Sequence, residues 1–234
     1  MTNNFHTIDV IILCGGLGTR IRPVLGDVPK VLAPIGNQTI LEVTLKKLKK
    51  TGFGRVILAT GFKKEQVKKC LAGHSSVVFS EEEELLGTGG ALKNALRFVE
   101  SQTFLAMNGD SLFDINFSNF FNFHKNSKNL LTIAVSEKTR KDVGSVDVDS
   151  KWKIMNFDEK KENVDFQKEF MSIGFYFFEK EAKNFFPKNN KFSLEYDFFP
   201  KIIKIKKCGA YFSEKPSLDI GTPERYFLWK SFLN

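Results

Sequence analysis

Short apolar runs alternate with stretches of helical spacing along the first half of the chain. Residues 10–13, Val-Ile-Ile-Leu, are apolar at every position and rich in β-branched side chains, which predicts a strand buried on both faces. Residues 55–59, 77–79 and 104–107 predict three more strands. Between them, Leu41, Thr44, Leu45 and Leu48 share one face of a helix over 40–50 that Gly52 closes. Residues 64–71 predict a second helix, and a third, led by glycines, runs from Thr88 or Gly89 to Val99. This alternation is the signature of an α/β, Rossmann-like three-layer fold, with a mostly parallel central sheet and helices on both faces. Ligands in such folds sit beyond the carboxyl ends of the strands. The segments that follow the first, third and fourth strands therefore face one crevice.

The second half is less regular. Residues 130–135, 143–148, 154–157 and 173–178 read as strands, and 194–205 and 223–233 as helices, the latter with Pro223 near its start. No internal repeat or low-complexity linker divides the chain, so one domain over 1–234 is expected, the second half extending the sheet and walling one side of the crevice.

Composition narrows the function classes. The 234 residues are 42% hydrophobic and 26% charged, ordinary globular values that argue against disorder. The formal net charge is +8, but much of the excess lies in lysines on predicted helix faces (Lys46, Lys47, Lys49, Lys50, Lys63, Lys64, Lys68, Lys69). No basic stripe interleaved with aromatics appears, so no nucleic-acid partner is expected. The three cysteines, Cys14, Cys70 and Cys208, lack CxxC spacing and fit a reducing cytoplasm. Residues 1–9 are polar, and no apolar run approaches the roughly 20 residues needed to span a bilayer, so neither a signal peptide nor a membrane partner is expected. His6, His74 and His124 lie among polar neighbours and read as surface residues. The sequence leaves homo-oligomerisation open.

The richest candidate chemistry is the long Gly- and Pro-rich loop after the first strand, over 14–35. It opens with Leu13-Cys14-Gly15-Gly16-Leu17-Gly18-Thr19-Arg20 and continues to Pro29-Lys30. Glycines allow close backbone approach, so a loop of amides can cradle a polyphosphate, with Arg20 and Lys30 as cations where charge develops on a transferring phosphoryl group. The plainer alternative is a glycine turn beside two surface cations. The loop is not a P-loop, which needs Gly-Lys-Ser/Thr, nor a dinucleotide fingerprint from Gly16, which needs Gly or Ala where Ile21 stands.

This run resembles the signature of the sugar-nucleotide pyrophosphorylases, the nucleoside-diphosphate-sugar transferases with a Rossmann-like core. Cys14 replaces a usual Ala, and Ile21 and Val31 replace Leu and Pro. Further resemblances follow in the family's order: Leu86-Gly87-Thr88-Gly89-Gly90-Ala91, Asn108-Gly109-Asp110, Gly144, Asp158-Glu159-Lys160, Ile173-Gly174, Ser193-Leu194-Glu195-Tyr196-Asp197 and Asp219-Ile220-Gly221-Thr222-Pro223-Glu224. The resemblance implies transfer of a nucleoside monophosphate from a nucleoside triphosphate to a sugar 1-phosphate, with release of pyrophosphate. It implies a nucleotide-binding half over about 8–112, using Leu13, Gly15, Gly16, Gly18, Thr19, Gly87, Thr88 and Gly109. The sugar-binding half, about 113–234, would use Gly144, Glu159, Lys160 and Gly174, with Arg20 and Lys30 catalytic. Asp110 and Asp219 would hold Mg²⁺, an ion that takes one or two carboxylates together with phosphates and water. Taken singly, an aspartate at a strand end is also a common turn former.

Two features bear on the base and the sugar. The run Glu81-Glu82-Glu83-Glu84 precedes the second glycine segment. Guanine offers two adjacent donors that one carboxylate can accept together, whereas uracil suits an amide better, so Glu84 or Glu82 would favour GTP. A solvated acidic turn is the alternative. Within the family, the glycine wording and compact length resemble most the D-glycero-D-manno-heptose 1-phosphate guanylyltransferases, with uridylyltransferases for a hexose or N-acetylmuramic acid 1-phosphate as the competing resemblance. A non-catalytic sugar-nucleotide sensor on the same fold would be expected to have lost Arg20, Lys30 or an aspartate, and all four are present.

Overall fold

The apolar run at the start becomes β1 (Asp9–Leu13), buried along nearly its whole length. Its pleat sends Ile11 into one hydrophobic core and Val10 and Ile12 into another on the opposite face. In the computed structural model, which describes residues 4–74, 76–139, 143–159, 170–205, 207–214 and 218–231, the following segment holds a short helix, α1 (Arg22–Leu25), and two-residue strands β2 (Pro34–Ile35) and β3 (Gln38–Thr39). The expected long loop is thus partly regular. α2 (Ile40–Thr51) starts at a capping box between Thr39 and Glu42 and stops at left-handed Gly52. Next come β4 (Arg55–Thr60), α3 (Lys64–Cys70), β5 (Val77–Glu81), α4 (Gly87–Ala95), β6 (Thr103–Asn108) and β7 (Ser111–Leu112). The second half contains α5 (Phe117–Ser127), β8 (Leu131–Glu137), β9 (Ser145–Val148), β10 (Ile154–Asp158), β11 (Phe170–Glu179), α6 (Phe199–Lys204), β12 (Cys208–Phe212), β13 (Leu218–Asp219) and α7 (Pro223–Ser231).

The fold is α/β with a mixed, mostly parallel central sheet. β6, β1, β4 and β5 lie side by side and parallel. β11 runs antiparallel to β6 and carries β8 on its other edge, and β12 pairs parallel with β8. The β9–β10 hairpin leans on the first residues of β11, beyond the end of β6. β11 therefore ties the two halves of the chain into one sheet. The strand order turns at β1, with β4 on one side and β6 on the other, so a crevice opens beyond Leu13 where such folds take ligands.

Among the longer elements, α5 and β12 escape the sequence reading, as do the short α1, β2, β3, β7 and β13. The phenylalanines of α5 serve the core: Phe117 and Phe120 are buried, and Phe117 meets Phe53, Phe113 and Phe175 edge-on. The third expected helix ends at Ala95 and continues as a 3₁₀ turn over Leu96–Phe98. The one expected over 194–205 begins as a π turn, Leu194–Phe198, before α6. Among the described residues, no helix is long and apolar enough to cross a membrane.

The surface reading of His124 is overturned. It lies on the inward face of α5 at 0% exposure, its Nδ1 2.7 Å from the Thr132 hydroxyl and its Nε2 3.4 Å from Glu179. Burial holds this imidazole below its ordinary pKa, so it sits neutral beside the acid. Burial works on Glu179 in the opposite sense, but the nearby His124 and hydrogen bonds from Lys125 and Thr103 outweigh it and bring the carboxyl to about 2, from an ordinary 4.5. A depressed folded value means that the ionised carboxylate stabilises the fold above the unfolded pKa, and that this contribution is lost as pH falls from 4.5 towards about 2. Thermal midpoints measured across that window should fall more steeply for the wild type than for Glu179→Gln. Parallel curves would remove this cluster from the acid sensitivity.

Candidate active site

The glycine-rich loop leaves β1 under tight backbone control. The amide of Cys14 donates to Ala59 O (2.8 Å), and that of Phe62 donates to Gly15 O (3.3 Å), so the loop lies across the end of β4. Gly18, at φ +58°, turns the chain so that the amides of Ile21 and Arg22 both reach its carbonyl. Nothing lies within 4 Å of where a side chain on Gly16 would begin, so the backbone there faces open space. Leu13, Gly15, Gly16, Gly18, Thr19, Arg20 and Lys30 all line one cleft of about 500 Å³, together with Gly87, Thr88 and Asp110. Gly109 stands behind it. Its amide donates to Leu13 O (3.0 Å), and a Cβ there would lie 2.9 Å from that oxygen and from Val31, and 3.1 Å from the Cys14 sulfur. Burial, with the Asp110 carboxylate near it, pushes the Cys14 thiol up, so it stays protonated and is no nucleophile.

The opposite wall comes from the end of β5 and from α4. Of the four glutamates, Glu84 is exposed and does not line the cleft, whereas Glu82 is buried and does. Between the two residues offered by the sequence, Glu82 is the one at the cleft. The backbone amide of Glu82 continues the ladder to Thr60 O (2.8 Å), which turns its carboxyl under Gly15 and Gly61. One oxygen accepts from the Leu86 amide (3.0 Å); the other has no hydrogen-bond partner among the described residues. Burial raises its pKa, and the Leu86 contact opposes that rise only in part. The α4 amides of Gly89 and Gly90 are taken up by Phe192 O (3.0 and 3.1 Å), and Gly87, Thr88 and Ala91 are the residues of that helix at the cleft. Thr88 bridges onward. Its hydroxyl donates to Glu195 (2.6 Å) and accepts from the Leu194 amide (2.9 Å).

A second cavity of about 150 Å³ adjoins the first, and Arg20, Lys30, Asn108 and Asp110 line both. Gly144, Glu159, Gly174 and Asp219 line the second. Gly144 is needed there, since a Cβ would fall 2.8 Å from Glu159 Oε2 and 2.6 Å from the Phe157 ring. Gly174, at φ +79°, admits the side chain of Asn108 within 2.8 Å of its Cβ position. Lys160 lies outside the described residues.

The two aspartates are joined through the backbone. β13 pairs antiparallel with β7, Asp219 opposite Ser111, and the Ile220 amide donates to Asp110 O (3.1 Å). Each carboxylate holds a cation: Lys30 pairs with Asp110, and Arg225 Nη1 lies 2.9 and 3.2 Å from the two oxygens of Asp219.

With that geometry in hand, the comparisons with known proteins become informative. Residues 9–234 match the nucleotidyl transferase family. The chain belongs to that family. It is 36% identical to the D-glycero-alpha-D-manno-heptose 1-phosphate guanylyltransferase of Campylobacter jejuni subsp. jejuni serotype O:2, over 94% of this chain and 97% of that protein. It is 32% identical to the protein of the same name from Aneurinibacillus thermoaerophilus, over 94% and 95%. HddC from Yersinia pseudotuberculosis, solved in complex with GMP-PN, superposes with a TM-score of 0.83 at 31% identity, covering 97% of this chain and all of that one.

For this nucleotidyltransferase, sequence reasoning missed Ser172, Tyr176 and Arg225 as lining residues, and it carried Asn108 and Glu195 only within motifs. Ser172 and Tyr176 flank Gly174 on one strand, a spacing that could have flagged them. Gly109→Ala should separate the ends of β1 and β6 and lower stability by about 1–3 kcal/mol, the scale of an overpacked core. An unchanged denaturant midpoint would show that the junction relaxes freely.

Proposed function

We propose that this nucleotidyltransferase transfers GMP from GTP to a D-glycero-D-manno-heptose 1-phosphate and releases pyrophosphate. The observation that carries the reading is the pair of adjoining cavities whose shared wall is Arg20, Lys30, Asn108 and Asp110. A triphosphate laid along the glycine loop brings its α-phosphorus to that wall, and an acceptor phosphate in the second cavity stands on its other side. This is the arrangement an in-line displacement requires. The phosphate oxygen of the acceptor forms the new P–O bond as the bond to pyrophosphate breaks. Arg20 stabilises the charge that builds up on the pyrophosphate, and Lys30 holds the phosphate at the centre of the exchange. No protein nucleophile is needed.

The donor set of Asp110 and Asp219 suits Mg²⁺: two carboxylates on adjoining backbone, with room for phosphate oxygens in the cavities they line. A bound Mg²⁺ would be held by Asp110 and Asp219 and would supply positive charge to neutralise the phosphates. Lys30 and Arg225 pair with these two carboxylates and offset their charge.

Glu82 supports guanine. Glu82 lines the nucleotide cleft, one of its carboxyl oxygens has no hydrogen-bond partner among the described residues, and an ionised carboxylate can accept both donors of the guanine edge. The heptose is supported by the two guanylyltransferase relatives that align over nearly their full length.

A matrix of nucleoside triphosphates against sugar 1-phosphates, read by pyrophosphate release with and without Mg²⁺, tests the reading. GTP with the heptose 1-phosphate should turn over fastest. A faster UTP reaction would assign the chain to the uridylyl group instead. In the same assay Asp110→Ala and Asp219→Ala should each nearly abolish turnover, and normal activity in either would remove that residue from the metal. Because burial raises the Glu82 pKa and guanine needs the ionised form, the GTP KM should fall as pH rises through that value. Glu82→Gln should lose this dependence and shift preference towards UTP; an unaltered base preference would exclude Glu82 as the reader.

A further inference from the structure

Arg225 sits in the second cavity without a role in the scheme above. It stands in the first turn of α7, which is firmly seated: the Tyr226 hydroxyl donates to Pro34 O (2.8 Å) and the Trp229 ring nitrogen to Leu218 O (3.0 Å). The side chain is 19% exposed and aimed at Asp219, with Nη1 2.9 and 3.2 Å from the two carboxylate oxygens. A Cβ on Gly221 would lie 3.2 Å from Arg225 Nη1 and 3.5 Å from Arg20 Nη2, so the two guanidinium groups flank one glycine, Arg20 lining both cavities and Arg225 the second.

The charges explain why this position matters. Among the described residues, the second cavity is lined by Arg20, Lys30 and Arg225 against Asp110, Glu159, Glu195 and Asp219, so it carries no surplus of positive charge to draw in a phosphate dianion. A divalent cation on the two aspartates reverses that balance and competes with Arg225 for Asp219. A guanidinium is permanently charged, and its geometry matches phosphate as well as carboxylate.

We propose that Arg225 binds the phosphate of the sugar 1-phosphate, with Asp219 as its resting partner until a divalent cation takes that carboxylate. This rests on the transferase reading, so the test has one arm that needs no substrate. Binding of Mn²⁺ alone, followed by the electron paramagnetic resonance of the free ion, should be several-fold tighter for Arg225→Gln than for the wild type, because a competitor for Asp219 is gone. In the pyrophosphate assay the same variant should show a KM for the sugar 1-phosphate raised about tenfold or more, the scale of one charge-assisted contact, with the KM for the nucleotide unchanged. Arg225→Lys, which keeps the charge but not the planar fork, should fall between the two in both measurements. Unchanged or weaker Mn²⁺ binding overturns the proposal, as does an unmoved KM for the sugar 1-phosphate in an active enzyme. A wild type that releases no pyrophosphate from any sugar 1-phosphate sinks the transferase reading instead, and the Mn²⁺ arm still decides whether Arg225 guards the carboxylate.

Discussion

The two-residue ladder between β7 and β13 is the contact on which the site depends. It lays Asp219 opposite Ser111 and brings the Ile220 amide onto Asp110 O, so acids from distant parts of the chain meet through backbone bonds rather than flexible side chains. So short a ladder cannot hold itself. It is held by a small separate core of Ile21, Ala33, Ile35, Ile40, Leu112, Ile220 and Tyr226. That core joins the glycine loop's exit, the start of α2 and the C-terminal helix, so the segments that carry Arg20, Lys30, Asp110, Asp219 and Arg225 are fixed to one another. Two carboxylates held together cost electrostatic free energy, and Lys30 and Arg225 offset it.

The parallel half was legible because β1, β4 and β6 are buried on both faces and so lack polar alternation, while its helices show one clean apolar face. The second half is less so for physical reasons. β12 reads Cys-Gly-Ala-Tyr-Phe, with no β-branched residue to mark a strand, and it forms because β8 offers it an edge. α5 carried its signal in Asn116 as a cap and in Phe117, Phe120 and His124 at helical spacing, but a dense run of phenylalanine masks which face is inward. His124 shows the consequence: polar neighbours in sequence say little about a side chain whose helical face is buried.

Four consecutive glutamates illustrate what a local pattern cannot decide. Glu81 closes β5 and turns to Lys64 and Lys68, 3.3 and 2.7 Å away. Glu82 adds one more rung to the ladder and points the other way, beneath Gly15 and Gly61, while Glu83 and Glu84 stay in solvent. A pleat makes neighbours diverge, but which parity faces the cleft is set by where β4 ends and by two glycines remote in sequence that leave the carboxyl room. The acid was visible in the sequence, and its register was not.

The glycines carry the same argument further. A sequence reader assigns them to turns and to phosphate cradling, and Gly16, with open space at its Cα, fits that use. Most others in the matched motifs are demanded by close packing between segments. A Cβ on Gly89 would meet the Phe192 ring at 2.2 Å, one on Gly90 the Asn190 carbonyl at 2.2 Å, and one on Gly144 the Phe157 ring at 2.6 Å. None of these three has a positive φ, so backbone conformation alone would accept alanine at each. They mark the places where α4 meets the 190–194 segment and where one strand end meets the β10 side chains. The cavities owe their shape to those approaches, which is why motifs scattered along the chain act as one site: each supplies the absence of a side chain that another segment needs in order to arrive.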